Sequence, residues 1–280
     1  MKFSSLFGAS ALLGSALADT TKIPGNWFHD DDGYGKGHRA AMAAVPMFHF
    51  GRPHGYKPCY PESAQINGQQ ANGNDPDNGN WANLNKGCAD PGEWLSPKKG
   101  GPLQGNPFPV YYTINQCKDH EFRVTYSIYF KHDSGHKSDW EGVTVVWKGD
   151  NNNNWERTHL MFGQHGGYDV KQWKDIQNTF NGKSDQSTNG AQNKNYAKVF
   201  VGAFYHAIFN TRKTSIDTAD PADKQAEFRS NDWFIWPWDS LVQPGSLINP
   251  AWPWGQADTN PPTLSNPSKG AYICNHNSDI

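Results

Sequence analysis

Nine residues near the middle of the chain, SGHKSDWEG (Ser134 to Gly142), crowd together side chains that can bind a cation or move a proton: His136, Lys137, Asp139 and Glu141. A β-branched run, Val143, Thr144, Val145, Val146, follows at once, so the segment reads as the entry to a strand. Residues two apart on a strand share a face, which sets Asp139 beside Glu141 and turns Trp140 away. Two ionised carboxylates so placed repel, and water, a shared proton or a cation relieves that repulsion. Just upstream, Asp133 adds a third carboxylate to the imidazole of His136. A donor set rich in oxygen with a single nitrogen suits a hard or borderline divalent ion (Ca²⁺, Mg²⁺ or Mn²⁺) better than zinc. Two other readings stay open. One is a solvated turn, since charged strand ends are common. The other is an acid–base pair of the glycosidase kind, although neighbours on one strand seldom flank a glycosidic bond.

The elements that must hold these residues are written in the flanking sequence. Val110 to Gln116 and Glu121 to Phe130 flank the connection CKDH and predict a hairpin; the second run alternates with period two, which puts one of its faces in the core. A strand over about Asp139 to Lys148, the turn DNNNN (Asp150 to Asn154) and a returning strand from Trp155 to Phe162 continue the pattern. Pro46 to Phe50 is a further candidate strand, and Lys198 to Phe209 a strand entering a buried segment. Helices are expected over about Val170 to Thr179 and within 213–229. Residues 62–107 are dense in Asn, Gly, Pro and Asp and form a long excursion. The pieces NDWFIWPWDSL and NPAWPWG near the end read as loops packing aromatics onto the body, because proline removes donors that a central strand needs. No internal repeat or linker divides the chain. The expected fold is mainly β: a single-domain β-sandwich with peripheral helices and long loops over residues 19–280.

Residues 1–18 read as a secretory signal: Lys2, an apolar run from Leu6 to Leu17, and small residues at Ala16 and Ala18. Secretion to the extracellular space fits the 4 cysteines, Cys59, Cys88, Cys117 and Cys274, an even number. Three pairings are possible. Cys59–Cys88 with Cys117–Cys274 is favoured, because the first closes a loop that could hardly order itself and the second pins the C-terminus to the sheet. The formal net charge of −2, without a basic stripe, excludes nucleic acid as a partner. Twelve tryptophans and 11 tyrosines suit a surface that meets sugars. No nucleophile–base pair is evident, so an enzyme is not expected; a secreted metal-dependent hydrolase is the remaining enzymatic alternative.

The stretch YFKHDSGHKSDWEGVTVVW (Tyr129 to Trp147) resembles the central signature of the necrosis- and ethylene-inducing-like proteins, whose heptapeptide is GHRHDWE. Five of the seven positions match; Lys137 replaces arginine and Ser138 replaces the second histidine. GYKPCYPESAQINGQ (Gly55 to Gln69) is similar to the family's cysteine–proline segment, with Cys88 in the place of its partner cysteine. GQHGGYD (Gly163 to Asp169) is similar to its histidine–glycine–tyrosine turn. The resemblance covers roughly Val45 to Asp169 and implies a secreted β-sandwich toxin that binds glycosylated sphingolipids of plant plasma membranes and permeabilises them. It further implies a divalent cation, Ca²⁺ or Mg²⁺ with Mn²⁺ possible, held by Asp133, His136, Asp139 and Glu141. His165 would lie close to the same pocket, and Trp155 is a candidate for head-group or membrane contact. A monomer in peripheral contact with the membrane is expected, and a non-lytic, lectin-like effector using the same cation site is the alternative.

Overall fold

A computed structural model of the chain describes residues 20–52, 55–93, 105–164, 167–186, 188–212 and 232–280. The expected signal segment (1–18), His165 and the helix expected within 213–229 lie outside the described residues. Eight strands carry the architecture: β1 (Met47–Gly51), β2 (Val110–Lys118), β3 (Glu121–His132), β4 (Lys137–Gly149), β5 (Asn154–Gln164), β6 (Gly167–Gln172), β7 (Tyr196–Val201) and β8 (Asp232–Ile235). The larger sheet runs β5-β4-β3-β2, all antiparallel. β6 and the short strand Ile23–Pro24 both pair with β5, and Val242–Pro244 pairs in parallel with β2. The smaller sheet places β1 between β7, parallel to it, and β8, antiparallel to it.

The two sheets face each other across one apolar core. Val124, Tyr126, Ile128 and Phe130 of β3 and Val143, Val145 and Trp147 of β4 meet Phe48 and Phe50 of β1, Val199 and Val201 of β7, and Trp233 and Ile235 of β8. Period-two patterning therefore places these residues as expected of a mainly β sandwich. The opposite face of β3 is not solvated, however. Arg123, Thr125, Ser127 and Tyr129 are buried as well. The C-terminal segment covers them: Tyr111, Tyr129 and Trp140 pack with Ile248, Trp252 and Trp254, and Val146 and Met161 pack with Ile273. Arg123 holds this cover in place, donating to the carbonyls of Ile273 (2.8 Å) and Asn277 (3.1 Å) and pairing with Glu121 (2.8 Å).

Two expectations about elements need correction. The segment Val170 to Thr179 is not a helix: its start completes β6, a single 3₁₀ turn covers Trp173–Asp175, and Thr179 pairs with Ala197. The register of β6 against β5, from Gln164↔Gly167 to His159↔Gln172, outweighs the local preference for a helix. Similarly, NDWFIWPWDSL contains a strand, β8, at the edge of the smaller sheet. Its proline is compatible with that position, because Pro237 falls two residues after the last paired residue, Ile235. Cys59 is bridged to Cys88 and Cys117 to Cys274.

Candidate cation site

The turn between β3 and β4 is short and closed by its own side chain. Asp133 directly follows β3, and its Oδ1 accepts from the backbone N–H groups of Gly135 and His136, while its N–H donates to the carbonyl of His136. That geometry turns Asp133 Oδ2 towards the His136 ring, with Nδ1 at 3.0 Å. Asp139 enters from β4, opposite Phe130. Ligand atoms of Asp133, His136 and Asp139 all lie within 4.8 Å of one another. Such separations can surround one cation at ordinary metal–oxygen and metal–nitrogen distances of about 2.0–2.6 Å.

Three details fit a cation here. His136 Nδ1 is buried and makes no hydrogen bond, although Asp133 Oδ2 is only 3.0 Å away. That contact is an ion pair when the imidazole is protonated, and its two atoms are placed to share one cation when it is not. Asp133 and Asp139 are 1% and 4% exposed, so water cannot neutralise them. Burial, and then the charge of Asp139, push the Asp133 carboxyl above its usual range, against the pull of the His136 amide. A divalent cation would relieve both penalties. The donor set of two carboxylates and one imidazole suits Ca²⁺, Mg²⁺ or Mn²⁺.

A fourth residue, His206, belongs to the site and lay outside the sequence reading. Its Nδ1–H donates to Asp139 Oδ2 at 2.8 Å, and its ring stacks on Phe130 with centroids 3.8 Å apart. The ring is 1% exposed, and the residue holds a left-handed backbone with φ of 55°. That conformation costs a non-glycine residue roughly 1 kcal/mol or more and persists only where the surroundings over-determine it. The sole signal in the sequence was a histidine inside the apolar run VFVGAFYHAIF.

The Cys59–Cys88 loop braces the other side of the turn. Ser134 Oγ donates to Asp77 Oδ1 at 2.7 Å, and the Asp77 N–H reaches the Asp133 carbonyl at 3.2 Å. His132 links the carbonyls of Asp133 and Lys86, at 3.2 and 3.1 Å. His132 also approaches Cys88 Sγ at 3.2 Å, but both sulfurs of that trio are oxidised and offer no thiolate to a metal.

Not every expected site residue joins the cluster. Glu141 stands outside the group within ligand distance and lines a cavity with Thr125, Gly163 and Tyr168. The register of β4 against β3 is unbroken here, and residues two apart on a strand stand about 6.6 Å apart, so sharing a face need not bring Asp139 and Glu141 to one point. Trp155 is 6% exposed and packs against Phe28 and Phe122, so it is a core residue, not a contact for a head group or membrane. It follows a polar turn, but its partner Ile23 and the inner face of β5 take it inward. Ser138, where the family has histidine, points away from the cluster: its hydroxyl lies 3.1 Å from Tyr129 Oη, and it is 5% exposed.

No protein-family model matches the chain, and no curated protein matches it. Among solved structures it is similar to NLPPya in complex with glucosamine, at 16% identity and a TM-score of 0.45, covering 80% of this chain and 84% of that one. It is also similar to the non-toxic HaNLP3 protein, at 16% identity and a TM-score of 0.44, covering 79% of this chain and 85% of that one. A third structure, described as a toxin fold for microbial attack and plant defense, gives 16% identity and a TM-score of 0.45 over 87% of this chain and 97% of its own. These are likenesses of overall outline; what the chain binds has to be argued from its own residues.

Proposed function

We propose that the chain is a secreted, divalent-cation-dependent effector of the necrosis-inducing-like type that engages the sugar head groups of glycosylated plant membrane lipids. The observation carrying this reading is the convergence of Asp133, His136 and Asp139 within 4.8 Å, on the segment that resembles the family heptapeptide. A bound divalent cation supplies open coordination positions that sugar hydroxyl oxygens can occupy in place of water. The chain's own residues do the rest. Asp133 and Asp139 hold the positive charge, His136 closes the site from the solvent side, and His206 fixes the orientation of Asp139. Glu141, the fourth ligand implied by the resemblance, lies outside this group of three. Two disulfides support an extracellular setting. Among the described residues no helix is long and apolar enough to cross a membrane. Peripheral contact falls instead to exposed aromatics such as Tyr34, Tyr56 and Trp238.

Dye release from vesicles containing glycosyl inositol phosphoryl ceramides tests the reading. Release should require Ca²⁺ or Mg²⁺ and vanish with chelator. Release that ignores chelator contradicts it, and cation-dependent binding without release makes the protein a non-lytic lectin.

A further inference from the structure

The span between Cys59 and Cys88 has little regular structure: the short strands Gln65–Ile66 and Gln69–Gln70, and a 3₁₀ turn at Trp81–Asn83. It nevertheless carries a rigid corner. Asn78 and Gly79 hold φ of 55° and 71°, the left-handed backbone of a type I′ turn, and the Asn80 N–H closes that turn on the Asp77 carbonyl at 3.1 Å. The Gly79 N–H donates to Asp77 Oδ1 at 2.7 Å, which ties the carboxylate to its own backbone. The same oxygen accepts from Ser134 Oγ at 2.7 Å, in the middle of the turn that carries Asp133 and His136. Asp77 is buried and stands outside the group of Asp133, His136 and Asp139, so it supports that group without joining it.

Ser134 is where the turn meets both of its neighbours. Its N–H donates to the Phe204 carbonyl at 2.9 Å, on the segment that leads to His206, and its hydroxyl goes to Asp77. Trp81 packs on Phe204 with centroids 4.4 Å apart and joins those neighbours to each other. The bonds from Gly135 and His136 to Asp133 Oδ1 set the shape of the turn, but they do not fix its direction relative to Asp139 on β4. That direction is left to Ser134. We infer, on the cation reading of this turn, that Asp77 is a positioning residue: through Ser134 it aims Asp133 and His136 at Asp139, and it does so only while the Cys59–Cys88 bridge closes its loop. The bridge joins residues 29 apart. Opening it takes two electrons and two protons from an external dithiol, which closes to its own disulfide as Cys59 and Cys88 become thiols. The freed span gains chain entropy and no longer holds Asp77 against the turn. Cation affinity then depends on the redox state of this bridge.

The test titrates the wild type, Asp77→Ala, Asp77→Asn, Ser134→Ala and Cys59→Ala/Cys88→Ala with Ca²⁺ and with Mg²⁺ by calorimetry. Amide exchange of Gly135 and His136 in chelator reads the turn without any cation. Asp77→Ala, Ser134→Ala and the bridge-free variant should each weaken binding about tenfold, the low end for a group that supports ligands. Asp77→Ala combined with either of the others should cost no more than one change alone, because all three interrupt one connection. Asp77→Asn keeps an oxygen acceptor for Ser134 and Gly79 and should stay within about threefold of the wild type. Exchange at Gly135 and His136 should quicken in Asp77→Ala and not in Asp77→Asn. Where the bridge-free variant fails to fold, the Asp77 and Ser134 variants decide. Wild-type binding that Asp77→Ala retains, an Asp77→Asn as weak as Asp77→Ala, or losses that add overturn this inference alone. A wild type that binds neither ion overturns the proposed function and this inference together.

Discussion

Asp139 is held from two sides, by the turn that brings Asp133 and His136 towards it and by His206 behind it. In the proposed cation site His206 would support the ligand Asp139 without touching the ion, so His206→Gln should lower Ca²⁺ or Mg²⁺ affinity about 10–100-fold, the usual cost of removing a ligand's supporting hydrogen bond. An unchanged affinity in calorimetry would exclude that positioning role. Acid should also weaken the site. Ligation needs deprotonated carboxylates, and Asp133 is held above the usual carboxylate range by burial and by Asp139, so protons compete with the cation at a higher pH than for an ordinary aspartate. Affinity should therefore fall as the pH drops from neutral; a flat profile would contradict this. Ser138→His, which restores the family residue, should gain no affinity. Ser138 is buried between Tyr129 and Gly73, and the larger ring should cost about 1–3 kcal/mol of stability by overpacking, read from urea unfolding. The three clustered residues were legible in the sequence because they lie within seven positions of one another. His206, 67 residues beyond Asp139, has no local pattern linking it to the site.

At the scale of elements, β3 shows where patterning succeeds and where it stops. Alternation identified the strand and its inner face, since Val124, Tyr126, Ile128 and Phe130 all reach the core. It left open what meets the other face, where Arg123 lies. Period two reports only that the faces differ; it cannot report that a distant segment folds back over the polar one. Arg123 is fully buried against Glu121 and the carbonyls of the C-terminal segment. Arg123→Ala removes the buried partner of Glu121, leaving it Lys118 and Lys148 at 3.6 and 3.5 Å, and strands the carbonyls of Ile273 and Asn277, so it should destabilise the protein by about 3–5 kcal/mol. A loss below 1 kcal/mol in urea unfolding, taken as roughly that of a surface ion pair, would show that the segment is not clamped there. β8 was missed for a related reason: proline excludes a central strand but not an edge strand that ends just before it.

At the scale of the whole molecule, a β-sandwich carries the turn of Asp133 and His136 at one end of two interior strands while an appended C-terminal segment covers the outer face. The Cys117–Cys274 bridge spans 157 residues and ties that segment to β2. Replacing both cysteines with alanine should cost about 2–5 kcal/mol and expose the tail to protease before the sheets unfold. Stability should also fall on acidification. Burial lowers the affinity of His159 and His276 for protons, with the charge of Arg123 adding to the effect at His276. The unfolded chain then binds more protons than the folded one as the pH drops through about 6.5, the ordinary histidine value, and stability present above that pH is lost below it. Melting temperatures compared across that window, with His276→Asn flattening the slope, test the sign. The central claim is the cation itself, and calorimetric titration of the wild type and Asp139→Ala with Ca²⁺ and with Mg²⁺ tests it most directly. The wild type should bind one cation per chain, with heat that Asp139→Ala abolishes while its melting temperature without cation is retained. No binding of either ion by the wild type, or equal binding by both proteins, would contradict the account.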